Sequence, residues 1–407
     1  MRRLLTLPLT AALGAGLLVG VVASAAPASA AIAPGARFVG VDPVRLVDTR
    51  DGVGALGPGG TLTLDLRDRV PITASAVVLD LTADAPTQAG YLTVYAADGA
   101  QPATSNLNKR AGETRSNSVT ATLPADGSRR LVIVNQAGST QVVVDLFGFY
   151  DLSAVGTGTG TSYYSYPGPI RVTDTRQNGQ RLQPGGAYTV DAVPPAGVSG
   201  VTGVAVNLTA VAPSGPGFLT AWNGISTRPT VSSVNFGRDP ATPNFAIVPA
   251  YEDTRGVIHF TVVAGVSAVD LVVDYLGVYG RPGAVNGSYY LALTPRRTSD
   301  TRTLAYRPFP NSSVICTVDG RLGRSTAVNL TITAVDPTTA TYLTAYPGPG
   351  GPPLASTVNA VPGQVVANAA QVSDSNGGSP LVYNQAGRVD ILCDYEGYFR
   401  AEGSEPG

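Results

Sequence analysis

The sequence predicts an all-β fold: three tandem β-sandwich domains, of jelly-roll or immunoglobulin-like kind, behind a signal peptide. Composition is the first reason. The chain has 48 glycines and 32 prolines, and only 14% of its residues are charged, which is typical of turn-rich β proteins. Pattern is the second reason. Short segments rich in Val, Thr, Leu and Tyr are separated by Gly, Pro, Asp and Asn, without helical periodicity.

The prediction of three domains is based on an internal repeat. Each copy opens with Arg-x-x-Asp-Thr-Arg (the Arg block), continues with Pro-x-x-Ser-x-x-Asn (the Pro block) and ends with Asp-x-x-Gly-x-Tyr/Phe (the Asp block). The blocks start at Arg45, Pro102 and Asp145, at Arg171, Pro229 and Asp274, and at Arg297, Pro353 and Asp394. Asn117, Asn244 and Asn368 recur in register between the last two blocks.

The repeat places domain boundaries at 36–150, 161–280 and 287–400, with linkers at 155–161 and 281–287. A unit of this size can bury a core of its own, unlike a solenoid or propeller repeat. We therefore expect three domains rather than one closed threefold body. We refer to the three units as copies 1, 2 and 3.

The N-terminal 1–30 segment predicts export. Positive charge at Met1-Arg2-Arg3 precedes an apolar run over 4–26, and Ala28-Ser29-Ala30 provides a small-residue cleavage site. An uncleaved membrane anchor is the alternative, and the arginine pair leaves the general and twin-arginine routes both open. No later stretch is long and apolar enough to span a bilayer. We expect a secreted protein, with the cell wall as one candidate location.

The three blocks resemble a tandem repeat domain, itself uncharacterised, of secreted actinobacterial proteins. In that group the copies occur alone or beside hydrolases and other extracellular modules. The resemblance covers the whole mature chain and is closest in copy 1, whereas copies 2 and 3 depart in their loops and openings. It implies a compartment and an architecture, and no mechanism.

The charge of the chain disfavours one class of partner, and its cysteine content predicts a crosslink. The formal net charge is −1, Lys109 is the only lysine and no basic cluster occurs, so we expect no nucleic-acid partner. Cys316 and Cys393 are the only cysteines, and an even pair in an exported protein predicts a disulfide. That bond requires the third and last strands of copy 3 to be neighbours or to face each other across the core.

Several catalytic and metal sites are disfavoured by the sequence. His259 is the only histidine, whereas nucleophilic triads and zinc sites normally need histidines at defined places. We interpret it as a strand residue at a surface or sheet edge. A calcium site around Asp51 is disfavoured because Gln177 and Thr303 replace that aspartate in the other copies. We predict no metal and no cofactor.

Paired aspartates recur in each copy and could serve a glycosidase. Each opening aspartate lies two residues before an arginine, which we expect to clamp the aspartate of the last strand in a structural ion pair. Such a clamp lowers the aspartate pKa, whereas a general acid needs a raised one. The predicted pairs are Arg50–Asp145, Arg176–Asp274 and Arg302–Asp394.

An alternating aromatic pattern is the best candidate for binding. In each copy two aromatic residues flank a threonine on one face of a strand, where they could form a platform for sugar rings. The alternative is that these rings fill the core. The residues are Tyr91, Tyr95, Phe218, Trp222, Tyr342 and Tyr346.

The sequence leaves three functions open. The first is a non-catalytic protein of the cell envelope or extracellular matrix, which binds cell-wall or extracellular polysaccharide, or another envelope protein, through repeated weak sites. The second is an extracellular carboxylate-based hydrolase of glycosidase-like kind. The third is a purely structural spacer. Binding predicts equivalent surfaces in all three copies, whereas hydrolysis predicts a specialised pocket in one.

Overall fold

A computed structural model describes residues 35–283, 287–304, 306–318, 325–374 and 378–404. The predicted signal peptide at 1–30 lies outside the described residues. Helix accounts for 4% of the residues and strand for 55%, so the all-β prediction is confirmed. The helical segments are single turns at Thr49–Asp51, Ser153–Thr157, Thr175–Asn178 and Thr301–Thr303.

Copy 1 is a sandwich of two four-stranded antiparallel sheets, ordered β1-β8-β3-β6 and β2-β7-β4-β5. This strand order is that of a jelly roll, because each sheet takes alternate strands from two Greek keys. The topology therefore selects the jelly roll over the immunoglobulin-like alternative. The strands are β1 (Arg37–Asp48), β2 (Thr61–Asp65), β3 (Ala74–Asp84), β4 (Gly90–Ala96), β5 (Leu107–Lys109), β6 (Arg115–Thr122), β7 (Arg130–Asn135) and β8 (Gln141–Asp151).

Copy 2 has the same architecture with one short additional strand. Its sheets run β14-β11-β17-β9 and β10-β16-β12-β13, and β15 pairs with β16. The strands are β9 (Ser162–Asp174), β10 (Ala187–Ala192), β11 (Gly203–Val211), β12 (Gly217–Trp222), β13 (Val234–Phe236), β14 (Ala241–Pro249), β15 (Tyr251–Glu252), β16 (Ile258–Ala264) and β17 (Asp270–Gly280).

Copy 3 repeats the eight-strand arrangement, in the orders β18-β25-β20-β23 and β19-β24-β21-β22. Because β18 also pairs with β9, the first of these sheets continues that of copy 2 as one eight-stranded sheet. No strand of the described chain is exchanged between copies. The strands are β18 (Ser288–Asp300), β19 (Ser312–Ile315), β20 (Ser325–Val335), β21 (Thr341–Tyr346), β22 (Val358–Ala360), β23 (Val365–Ser373), β24 (Leu381–Asn384) and β25 (Asp390–Ala401).

Each copy buries its own core between its two sheets. In copy 1, for example, Leu92 and Val94 point inward from β4 and are almost completely buried. Alternation along the strand brings such residues to one face, and β-branched and aromatic side chains fill it.

A fourth core lies between the copies and takes side chains from all three. Apart from Phe245 in β14, its aromatic members come from the first strand and the Asp block of each copy, where Tyr150 and Tyr290 stack with ring centroids 4.1 Å apart. Tyr150 and Tyr279 share a hydrogen bond of 2.7 Å between their hydroxyls. The aromatic members are Phe38, Phe147, Tyr150, Tyr163, Phe245, Tyr279, Tyr290 and Phe399.

This shared core corrects one expectation. The three copies keep their own strands and cores, but residues 34–407 form a single compact unit. Backbone contacts join the first strands in a cycle, with Ala36 bridged to Tyr290, Phe38 to Thr161 and Ser288 to Tyr163. The three predicted sandwiches are present, but the expectation that they would not close into one body was wrong, because some Asp-block aromatics, namely Tyr150, Tyr279 and Phe399, are buried between copies.

The shared core also explains the glycine of the Asp block. A Cβ atom at Gly148 would collide with the ring of Phe38, and the equivalent atoms at Gly277 and Gly397 would collide with Tyr163 and Tyr290. Only glycine lets the first-strand aromatic lie flat on the closing strand. The repeated glycine therefore serves the contact between copies.

Candidate functional site: the junctions between copies

A ring of three asparagines closes the contacts between copies. We name the contacts the first junction (copies 1 and 2), the second junction (copies 2 and 3) and the third junction (copies 3 and 1). Asn244 Oδ1 accepts the backbone N–H of Ser118 at 3.1 Å, and Asn368 Oδ1 accepts that of Phe245 at 2.9 Å. Asn117 Oδ1 accepts the N–H of Ala369 at 3.1 Å and completes the cycle.

The same asparagines hold the Pro block of their own copy. Their Nδ2 groups donate to the carbonyls of Asn106 at 2.5 Å, Ser233 at 2.8 Å and Thr357 at 2.7 Å. All three asparagine side chains are buried, so each amide needs both partners. The in-register asparagines of the sequence are therefore connectors between copies.

The predicted ion pairs need a correction. The aspartate of the last strand binds the first arginine of the Arg block, not the second. Arg45 Nε donates to Asp145 Oδ1, Arg171 Nε to Asp274 Oδ1 and Arg297 Nε to Asp394 Oδ1, each at 2.8 Å. A second bond from Nη2 makes each contact bidentate.

Strand register explains the error. Arg45 lies directly opposite Asp145 in the β1–β8 ladder, after a shift in register that the sequence pattern does not predict. Arg50 lies beyond the end of β1, in the turn Thr49–Asp51, and donates back to Asp48 at 2.6 Å. Arg176 and Arg302 repeat this arrangement with Asp174 and Asp300.

The two sets of aspartates differ in their electrostatics. Burial raises the pKa of Asp145, Asp274 and Asp394, and the hydrogen bonds from the arginines only partly offset it. By contrast, the side-chain hydrogen bonds from Arg50, Arg176 and Arg302 lower the pKa of Asp48, Asp174 and Asp300. The expectation of a lowered pKa at the last-strand aspartates was therefore wrong, because desolvation dominates there.

The Pro block of the following copy covers the buried ion pair. The N–H of Ser356 in copy 3 donates to Asp274 of copy 2 at 3.2 Å, and the backbone of Ser105 in copy 1 donates to Asp394 of copy 3. The Arg and Asp blocks of one copy thus meet the Pro block of the next. All three repeated blocks lie at the junctions.

An open cavity lies at the second junction. It has a volume of about 170 Å³ and is lined by Arg171, Arg176 and Val211 of copy 2 and by Tyr342, Leu354 and Asn359 of copy 3. The side chain of Arg176 is 48% exposed, and Leu354 is 71% exposed at the rim. The cavity therefore combines guanidinium groups, an aromatic ring, an apolar rim and an amide.

The aromatic residues do not form the predicted open platform. The threonine between each pair is buried, and its hydroxyl donates to a carbonyl of the loop before the Pro-block strand, as from Thr220 to Val231 at 2.8 Å. Trp222 and Tyr346 are only 8% and 5% exposed. Tyr91, Tyr95 and Tyr342 are partly exposed and Phe218 is 37% exposed. In copies 2 and 3 one member of each pair is therefore buried, whereas the other is at least partly exposed. Of the six residues, only Tyr342 lines the cavity at the second junction.

The predicted disulfide between Cys316 and Cys393 is confirmed, with Cα atoms 5.7 Å apart. Cys316 follows β19 in one sheet of copy 3, and Cys393 lies within β25 in the other. The bond therefore crosses the core, which is one of the two arrangements that the sequence allowed.

His259 lies in β16, between the neighbouring strands β10 and β15. Its Nδ1 lies 2.8 Å from Asp191 and its Nε2 lies 3.3 Å from Asp253. Burial lowers the pKa of His259, but the bonds to the two carboxylates outweigh burial and raise it. This is a strand residue held by two carboxylates, and it is only 9% exposed rather than at an open surface.

The residues that sequence reasoning missed were present in the repeat. Arg45, Arg171 and Arg297 open the Arg block in register, but the spacing favours the second arginine because it follows the aspartate by two residues, on the same face of a strand. Glu396, which stands where copies 1 and 2 have Phe147 and Leu276, was also missed. A charged residue at an otherwise apolar repeat position was the signal available.

No protein-family model matches the chain, and no curated protein does. Among solved structures, a chain of the Sulfolobus turreted icosahedral virus is 10% identical, with 90% of this chain and 92% of that chain covered and a TM-score of 0.19. A chain from an archaeal virus with a triple jelly-roll fold and turret assembly is also 10% identical, with coverages of 90% and 91% and a TM-score of 0.20. Nothing about activity follows from these values.

Two further observations concern the described part of the chain. It contains no helix with the length and apolar character needed to cross a membrane. It also contains no group of three or more His, Cys, Asp or Glu side chains placed to hold a metal ion.

Proposed function

We propose that this chain is a secreted, non-catalytic binding protein of the cell envelope or extracellular matrix, and that it binds glycans at the junctions between its copies. The main observation that supports this proposal is the cavity at the second junction. There Tyr342 and Leu354 offer an apolar face, while Asn359 and Arg176 offer polar groups around it. A few polar groups that converge on an apolar surface are typical of ligand sites.

Repetition supports weak, multiple binding. Each junction brings the Arg block of one copy beside the Pro block of the next, and Tyr91, Phe218 and Tyr342 occupy the same repeat position. Linked weak sites on one polymer gain affinity through effective concentration. The closed arrangement of the copies holds the junctions at fixed positions relative to one another.

A specialised pocket at one junction is the arrangement that hydrolysis predicted, but the carboxylate-based hydrolase is the weaker candidate because no carboxylate lines this cavity. Asp145, Asp274 and Asp394 are each at most 1% exposed, and each is engaged by both nitrogens of a guanidinium. A glycosidase needs two carboxyl groups that reach the substrate from opposite sides. The recurring aspartates support the fold of the junctions instead.

Affinity electrophoresis of the secreted protein tests the proposal. Native gels would contain soluble neutral or acidic polysaccharides, and insoluble cell walls would be tested by co-sedimentation. We expect retardation by at least one polysaccharide and its reduction in Tyr342→Ala. The matched control is Tyr306→Ala, because Tyr306 is 43% exposed and does not line the cavity. Absence of retardation in every gel, or equal loss in both variants, would contradict the proposal.

A further inference from the structure

The three junctions differ at the residue that ends the third strand of each copy. Asp84 ends β3, Val211 ends β11 and Val335 ends β20. These positions are equivalent because each lies four residues after the strand residue opposite the buried aspartate, namely Asp80, Asn207 and Thr331. Only copy 1 therefore has a carboxylate at this strand end, where it adds a second acidic partner for the second arginine of the Arg block.

That carboxylate, Asp84, forms an ion pair with Arg50 at the first junction. Arg50 Nη1 donates to Asp84 at 3.2 Å, in addition to the two bonds from Arg50 to Asp48. Asp84 also accepts a hydrogen bond from Thr114. The outer edge of the Arg50 guanidinium is thus paired within the protein.

At the second junction the corresponding edge is open. Arg176 donates to Asp174 through Nε and Nη2, and Val211 lines the cavity where copy 1 has Asp84. Within the described residues, Nη1 of Arg176 has no hydrogen-bond acceptor. A guanidinium with a free edge recognises carboxylates by directed, charge-assisted hydrogen bonds.

A second group at the same cavity lacks a partner. Asn359 Oδ1 is buried and accepts no hydrogen bond from any described residue. The equivalent oxygen of copy 1, Asn108 Oδ1, accepts from Ser105, whereas Asn235 of copy 2 is held through its amide nitrogen, which donates to Ser232 and Thr82. A buried acceptor without a donor is costly, so a ligand hydroxyl that donated to Asn359 would gain free energy.

The geometry points to an acidic glycan as the ligand of the second junction, with the carboxylate of a uronic acid residue at Arg176 and a sugar hydroxyl at Asn359. This inference rests on the proposed glycan-binding function. Tyr342 and the exposed Leu354 provide the apolar surface for the sugar ring. An acidic peptide would satisfy Arg176 as well, but the ring and the amide acceptor favour a polyhydroxylated ligand over a flexible carboxylate side chain.

The first and third junctions lack part of this set. The first has Asp84 beside its arginine, which repels an anion and occupies the guanidinium. The third has Val335, but Ala103 stands at the repeat position of Leu354, and Asn108 is already hydrogen-bonded. Carboxylate-dependent binding is therefore expected at one site per chain.

Isothermal titration of the full secreted chain with an oligogalacturonate tests the inference. The comparison probes are the same oligomer as its methyl ester and a poly-glutamate peptide. We expect one site, about tenfold weaker binding of the methyl ester, and about tenfold weaker oligogalacturonate binding in Arg176→Gln, because each change removes a charge-assisted hydrogen-bonded contact. Arg67→Gln is the matched control, because Arg67 pairs with Asp65 and does not line the cavity, and it should leave the affinity unchanged.

Two further variants use the difference between copies. Val211→Asp introduces the carboxylate of copy 1 at a half-buried strand end and should weaken binding as much as Arg176→Gln does. Asp84→Val releases Arg50 and should strengthen weak binding at the first junction. Thermal unfolding of each variant checks that the fold is retained.

The outcomes separate the two proposals. Equal affinity for the acid and its methyl ester would overturn carboxylate recognition while leaving glycan binding intact. Equal or tighter binding of poly-glutamate would overturn the choice of a glycan. Absence of binding to the oligogalacturonate, with retardation by a neutral polysaccharide, would overturn this inference alone; absence of binding to any glycan would overturn both.

Discussion

Asn117 in copy 1 accepts a hydrogen bond from the backbone N–H of Ala369 in copy 3, across 252 residues of chain. Its amide nitrogen donates to the carbonyl of Asn106 within copy 1. The first and last copies have no linker between them, so this contact belongs to the junction that completes the cycle. The three asparagines that recur in the sequence thus make equivalent contacts between neighbouring copies.

Asn117→Ala should lower the free energy of unfolding by about 2–4 kcal/mol, because it leaves a buried N–H and a buried C=O without partners. Urea denaturation followed by fluorescence measures the loss. Asn178→Ala, at an exposed asparagine, is the control and should cost less than about 1 kcal/mol. Equal effects of the two substitutions would show that the ring contributes little.

The corrected ion pairing predicts different effects for the two arginines of copy 1. Arg45→Ala leaves the fully buried Asp145 without its counter-ion and should lower the free energy of unfolding by about 3 kcal/mol. Arg50→Ala breaks exposed pairs with Asp48 and Asp84 and should cost less than about 1 kcal/mol. The reverse order in denaturation experiments would favour the pairing expected from the sequence.

We expect Glu396 to make the stability of the third junction depend on pH. Burial raises its pKa from 4.5 to about 7, and its carboxyl contacts Asn106 of copy 1 as well as Thr331 of copy 3. As pH rises from about 4.5 to 7, the unfolded chain loses this proton before the folded chain does. The free energy of unfolding should therefore fall across that window, by about 3 kcal/mol in total.

Glu396→Gln should remove this part of the pH dependence and be more stable than the parent chain at pH 8. Thermal unfolding between pH 4.5 and 8 measures the two profiles. Glu402→Gln is the control, because Glu402 forms an ion pair with Arg37 and should leave the fall in place. Parallel profiles for Glu396→Gln and the parent chain would contradict the assignment to Glu396.

The disulfide should stabilise copy 3 without being needed for its fold. Val144 and Val273 stand where Cys393 does, and those copies form the same sandwich. The variant Cys316→Leu/Cys393→Val should retain the β-rich circular dichroism spectrum and lose up to about 4 kcal/mol, because the bond closes a loop of 77 residues. Loss of the folded spectrum, or two alkylatable thiols in the parent chain purified under oxidising conditions, would contradict this expectation.

The sequence by itself determined the all-β class, the three copies and the disulfide. These depend on local pattern and on repetition: alternation predicts strands, the blocks recur in order, and two cysteines allow one intramolecular pairing. Even the residues of the junctions were visible as repeated positions, because Asn117, Asp145 and the glycine of the Asp block recur in register.

Only the tertiary structure decided how those residues are used. Arg45, and not Arg50, lies opposite Asp145 because β1 ends at Asp48 and Arg50 lies in the turn that follows, and sequence spacing alone does not reveal where the strand ends. The cavity at Arg176 depends on Tyr342 from another copy, which reaches it only because the three sandwiches close around Tyr150, Tyr279 and Phe399. Contacts across that distance come from the packing of whole sheets against one another, which local sequence patterns do not encode.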